Sequence, residues 1–110
     1  MKKYISSDKM FFINVDETNN ANLVLSPDCE LVCGLIINFI FKIKLNTVVT
    51  TETTLFSVET NKCLKYFTSP ISGKITYINT LYETKPELLF QNVILVSLTL
   101  EKELDLERIF

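Results

Sequence analysis

The chain has 110 residues, a length that suits one domain, and 47% are hydrophobic, enough for a sizeable core and too many for global disorder. Its 13 acidic and 11 basic residues leave a net charge of −2, which gives no electrostatic reason to expect nucleic acid or an anionic membrane as partner. There is no His, which excludes a His-based catalytic triad and a His-bearing zinc site.

The N-terminal Met1-Lys2-Lys3-Tyr4 carries two positive charges with no apolar run behind them, so it does not read as a secretory signal. Phe11-Phe12-Ile13-Asn14-Val15 predicts a first strand. Asp16 to Asn22 is polar apart from Ala21 and turn-like, with Asn19-Asn20 as its tip. Leu23 to Leu25 resumes a strand, giving a hairpin. Ser26-Pro27-Asp28 predicts a helix start: Ser caps, Pro suits the first helical position, and Asp favours the positive end of the dipole. Gly34 closes that helix after about two turns, so packing must hold it.

Leu35 to Leu45 predicts a long strand, with Ile37, Phe39, Phe41, Ile43 and Leu45 on one face and Asn38, Lys42 and Lys44 on the other. The apolar run from Leu31 to Phe41 is too short to span a bilayer. Asn46 to Thr54 is Thr-rich and suits a turn and a weaker strand. Leu55 to Val58 is a strand that runs into a hairpin bearing Lys62. After the turn signal Ser69-Pro70-Ile71-Ser72-Gly73, Lys74 to Ile78 is strand-like. Pro86-Glu87-Leu88-Leu89 predicts a short helix. Val93 to Leu100 is a final strand with Val96, Leu98 and Leu100 on one face, and Glu101 to Phe110 reads as a short C-terminal helix. The sum is a mainly antiparallel β domain, a compact barrel or sandwich with small helices at its margins.

Three cysteines, Cys29, Cys33 and Cys63, are an odd count, which suits free thiols in a reducing compartment. Cys29 and Cys33 would share a helix face, but with one further Cys and no His they do not make a zinc site. A soluble cytoplasmic protein is the expectation, or one of an organelle matrix if a presequence has been removed.

Lys62 is the residue that invites a functional reading. It stands in Val58-Glu59-Thr60-Asn61-Lys62-Cys63, and seven residues separate it from Pro70-Ile71-Ser72-Gly73. This run resembles the signature of the glycine cleavage system H protein, a lipoyl carrier of the biotinyl/lipoyl domain superfamily, which has the form V-E-S-V-K, seven residues, then P-x-S-G. Val58, Glu59, Lys62, Pro70, Ser72 and Gly73 fall in those places without a gap, and Asn79 and Pro86-Glu87-Leu88 match further on in register. The likeness runs from roughly Tyr4 to Leu100. The chain departs from the pattern at Asp8-Lys9-Met10, where the family has His-Glu-Trp, and at Asn61 and Cys63, where it has small apolar residues. It also lacks the family's Pro-Tyr-Gly-rich loop and its Trp, and is shorter between Phe90 and Ile94.

The resemblance implies a barrel-sandwich hybrid fold and a non-catalytic carrier with lipoic acid bound covalently to Lys62. It implies loading by a lipoate ligase or lipoyltransferase. It implies service to glycine decarboxylase, aminomethyltransferase and dihydrolipoamide dehydrogenase, by a monomer. A lysine suits the task because its ammonium rides on a flexible stem that a ligase can acylate. Glu59 and Gly73 are the candidate ligase or partner recognition residues. The plainer alternatives are a solvated turn lysine at 62, a surface charge at 59 and a purely structural glycine at 73. Lys65, the nearest competing amine, reads as a strand-face charge, Cys63 as a plain strand thiol, and the acidic run Glu101 to Glu107 as a solvated face. Two other functions stay open: a lipoyl relay serving other lipoate-dependent or redox enzymes, and an unmodified β interaction module.

Overall fold

The computed structural model describes residues 2–26, 36–86, 93–101 and 107–108. Two antiparallel sheets carry nearly all of the regular structure. The first is built from β1 (Lys2–Ile5), β2 (Phe11–Val15), β3 (Asn20–Leu25), β5 (Val48–Val49), β8 (Gly73–Ile78), β9 (Val96–Leu100) and β10 (Glu107–Arg108), in the order β10-β1-β2-β3-β9-β8-β5. The second contains β4 (Ile36–Phe41), β6 (Thr54–Thr60) and β7 (Leu64–Thr68), in the order β4-β6-β7. The expected mainly β architecture is therefore present, as two packed sheets.

Alternation of side chains sends one face of each strand inward. Phe11, Ile13 and Val15 of β2 and Ala21, Leu23 and Leu25 of β3 face Phe39, Phe56, Val58 and Phe67 of the smaller sheet. Rings organise that core. Phe39 stacks on Phe56 and Phe56 on Phe67, each at 4.7 Å between centroids, so three adjacent strands share one column. Phe11, from the larger sheet, meets Phe56 and Phe67 edge-on at 6.2 and 6.3 Å. The arrangement uses both preferred aromatic geometries and ties the sheets together.

Local chemistry sets the ends of the elements. In the β2–β3 turn Asp16 Oδ1 accepts bonds from Thr18 N, Thr18 Oγ1 and Asn20 N at 2.8, 2.6 and 3.0 Å, and Asn19 adopts φ 62°. The Thr18 hydroxyl and the two backbone amides hold the Asp16 carboxyl below its usual range. Asn is among the residues that tolerate this left-handed backbone, so the tip expected at Asn19-Asn20 falls where its chemistry allows, with Asn20 already in β3.

The long strand expected over Leu35 to Leu45 is shorter. A register shift between Ile36 and Asn38 breaks the alternation, leaving Ile37 55% exposed while Ile36 packs against the core. Phe39, Phe41 and Ile43 face inward as expected. Leu45 does not, at 54% exposed, because the chain turns at Lys44 to Thr47 with Asn46 at φ 65°. There it joins the other sheet, where Asn46 N–H donates to Ile75 O at 2.8 Å.

Two expectations change at the chain ends. Lys2–Ile5 is a strand, paired with β2 from Lys2↔Val15 to Ile5↔Phe12. Glu107 and Arg108 do not belong to a C-terminal helix: they pair with Ile5 and Tyr4, because β1 offers an open edge that a short strand satisfies. The helix expected over Pro27 to Gly34, with Cys29 and Cys33, lies outside the described residues, as do positions 87–89 of the helix expected from Pro86. A helix not anticipated, α1 (Leu81–Thr84), follows Asn79 instead. Among the described residues no helix is long and apolar enough to cross a membrane.

Candidate functional site

Lys62 occupies the tip of the β6–β7 hairpin. The strands pair from Thr54 to Glu59 against Thr68 to Leu64, and Thr60 N–H donates to Cys63 O at 2.8 Å, so Asn61 and Lys62 form a two-residue loop. Neither has a positive φ, so the loop is not one of the mirror-image turns that Asn-Gly sequences make. The Thr60 side chain builds it instead. Its Oγ1 accepts from Lys62 N at 3.2 Å and from Cys63 N at 3.1 Å, satisfying two amides that a tight loop would leave unpaired. Thr60 itself is buried while Asn61, Lys62 and Cys63 are exposed, so a fixed residue holds an open tip. Among the described residues no carboxylate pairs with the Lys62 ammonium. A primary amine that is solvated, reachable and rigidly mounted fits a covalently attached acyl group.

Glu59 lies three residues earlier on the outer face of β6. Its Oε1 accepts from Asn38 Nδ2 at 2.9 Å, across the directly opposed pair Asn38↔Glu59. Glu59 is therefore oriented by β4. Asn38, placed on the polar face by its alternation, is a partner that sequence reasoning did not connect to the site; only strand pairing brings the two together.

The second half of the motif sits elsewhere. Ser69 to Ser72 carries the chain from β7 in the smaller sheet to β8 in the larger one. Ser69 Oγ donates to Ile71 O at 2.6 Å, Ser69 N donates to Thr53 O at 2.8 Å, and both Ser69 and Ile71 are buried. Gly73 follows in β8 between Val49 and Leu100. A Cβ there would lie 2.4 Å from Leu98 Cδ1 and 2.4 Å from Thr99 O, so close approach, and no left-handed backbone, is what requires glycine. Lys65 lies on β7 with its ammonium 5.3 Å from the Phe67 ring centroid, in keeping with a strand charge. Cys63 is a free, exposed thiol 3.6 Å from Thr60 Oγ1.

Asn79 has a structural part. Its Nδ2 donates to Ile94 O at 3.0 Å and its Oδ1 accepts from Leu81 N at 3.3 Å, starting α1 and pinning it beside β9. The helix then brings Tyr82 to 5.3 Å from Phe39 and lets Tyr82 Oη donate to Val93 O at 2.5 Å. Burial, reinforced by Tyr77, pushes the Tyr82 phenol up to about 12.

No protein-family model and no curated protein matches this sequence. The structure is similar to the crystal structure of a glycine cleavage system H protein from Mycobacterium marinum, with a TM-score of 0.78 and 15% identity over 97% of this chain and 90% of that one. The two chains thus share a fold over nearly their whole length.

Proposed function

We propose that this protein is a non-catalytic lipoyl carrier of glycine cleavage, with Lys62 as the attachment point. One observation carries the reading: Lys62 shares with Asn61 an exposed two-residue tip whose base is fixed by Thr60 and by a stacked aromatic column, on a fold shared with an H protein. Acylation joins Lys62 Nζ to the carbonyl of an activated lipoyl group brought by a ligase or lipoyltransferase. The activating group leaves with its electron pair, and the amine gives up its proton to solvent. When bound, the lipoyl dithiolane supplies a reversible carrier for an aminomethyl group between glycine decarboxylase and aminomethyltransferase, with reoxidation by dihydrolipoamide dehydrogenase. The chain contributes a rigid mount, solvent access and a tether that raises the local concentration of the arm at each enzyme. Glu59, held by Asn38, and the open tip are what a ligase reads; Gly73 acts indirectly, by allowing the crossing that fixes the hairpin base.

Intact-mass measurement after co-expression with a lipoate ligase tests this. The expected result is one lipoyl increment, absent from Lys62→Arg. No increment, or one that survives the substitution, sinks the carrier and favours an unmodified β interaction module.

A second reading, a lipoyl relay serving other lipoate-dependent or redox enzymes, draws on the exposed Asn61 and Cys63 that flank the lysine. Glycine–carbon dioxide exchange with a cognate decarboxylase separates the two readings. Exchange supports the glycine cleavage role, and its absence from fully lipoylated protein moves the assignment to the relay.

A further inference from the structure

The two edges of the three-stranded sheet differ. On β4, Glu83 Oε2 of α1 accepts the Phe41 N–H at 3.1 Å, and the register shift near Ile37 bends the strand. Both devices protect an edge from further pairing. Among the described residues no side chain bonds to the outer edge of β7, and the register shift in its ladder lies on β6, between Thr54 and Phe56, at the end far from Lys62.

The ladder shows which β7 groups are open. Antiparallel pairs alternate between bonded and non-bonded, and Thr60–Cys63 is a bonded pair. Glu59–Leu64 and Ser57–Tyr66 are then non-bonded, while Val58–Lys65 is bonded. The backbone N–H and C=O of Leu64 and Tyr66 therefore point away from β6, toward the edge. Their side chains stand on the outer face, 53% and 58% exposed. Lys65 lies between them as the only charge on β7, Lys62 stands just before the strand, and the nearby Glu59 is engaged by Asn38.

We infer that the β7 edge receives an extended strand of the enzyme that acylates Lys62, a strand in which apolar residues flank an acidic one. The inference rests on the carrier reading above. Leu64 and Tyr66 supply two donors and two acceptors in a row, which only an extended backbone matches. Lys65 selects an acidic side chain opposite it, and the register so fixed sets the enzyme's active site against the Lys62 tip. A second copy fits less well, because the two-fold register that pairs Leu64 with the other copy's Tyr66 sets Lys65 against the other Lys65, like charge on like charge.

The test uses the whole protein as acceptor for a purified lipoate ligase with lipoate and ATP, read by intact mass. Tyr66→Pro removes one outward N–H while sparing the bonds to β6, and an edge strand tolerates it. Lys65→Glu reverses the charge. Both are expected to raise KM about fivefold to tenfold, the loss of roughly one hydrogen bond or charge pair, with kcat little changed. Independently of any variant, hydrogen exchange at the Leu64 and Tyr66 amides of the native protein is expected to slow when ligase is added. Unchanged KM in both variants, or no added protection, overturns the edge assignment while leaving Lys62 an acceptor. Protection that rises with protein concentration in the absence of ligase overturns it in favour of a second copy. Failure of the native protein to be acylated at all removes the carrier reading and the edge assignment together.

Discussion

The two halves of the Lys62 to Gly73 motif differ in how much room they leave. At Gly73 a single added carbon would sit 2.4 Å from a backbone oxygen, whereas Lys62 extends into solvent from a loop held by one hydroxyl. A chain that must present a reactive amine needs both conditions. The crossing into the larger sheet fixes the hairpin, and the hairpin end is left free. The spacing between Lys62 and Pro70 is then the length of β7 plus its turn, a structural distance rather than a contact between the two ends.

The strongest challenge to that contrast is at the hairpin base. Phe56→Ala should remove the middle ring of the column and cost about 4 kcal/mol in denaturant unfolding. A loss below about 1 kcal/mol would mean that the base is not what holds the tip. Gly73→Ala should destabilise by about 3 kcal/mol, because Thr99 O belongs to a paired strand and cannot move aside. The proposed acylation at Lys62 should survive in whatever fraction stays folded.

Tyr82→Phe deletes the bond to Val93 O and should cost about 1 kcal/mol at neutral pH. Its pH dependence is more telling. The folded phenol titrates at about 12, above the ordinary value of 10.0, so its contribution is whole below pH 10 and is lost as pH rises toward 12. The Phe variant should therefore lose less stability than the native protein across that window, as followed by urea melts at stepped pH. Thr60→Val should also cost about 1 kcal/mol, by leaving the Lys62 and Cys63 amides without their acceptor, and should speed exchange at those two amides alone. Lys62→Ala completes the contrast, with a stability change within about 0.5 kcal/mol of zero. A larger loss would show the lysine to be part of the structure and would weaken its reading as a free arm.

Much of this was legible in the residues. The strand expected at Phe11–Val15 alternates cleanly and fell where the pattern put it, the one expected at Lys74 to Ile78 lies within β8 despite a register shift between Ile75 and Tyr77, and the Asn19 turn followed from side-chain chemistry. The strand-like run before Lys62 pointed to its hairpin. What failed had no local signal. The bulge near Ile37 came from pairing with β6, and the four-residue α1 depends on Asn79 reaching Ile94 O. The Glu107–Arg108 strand exists because β1 leaves an edge to fill.

By itself the sequence determined the β class and the exclusion of His chemistry, because composition and periodicity are properties of neighbours along the chain; Lys62 stood out through its resemblance to a family signature. Only the tertiary structure decided that Glu59 answers to Asn38, that Gly73 is required by a neighbouring carbonyl, and that, among the described residues, β7 is open where β4 is covered. Those facts depend on residues far apart in sequence, and strand register alone sets which of them meet.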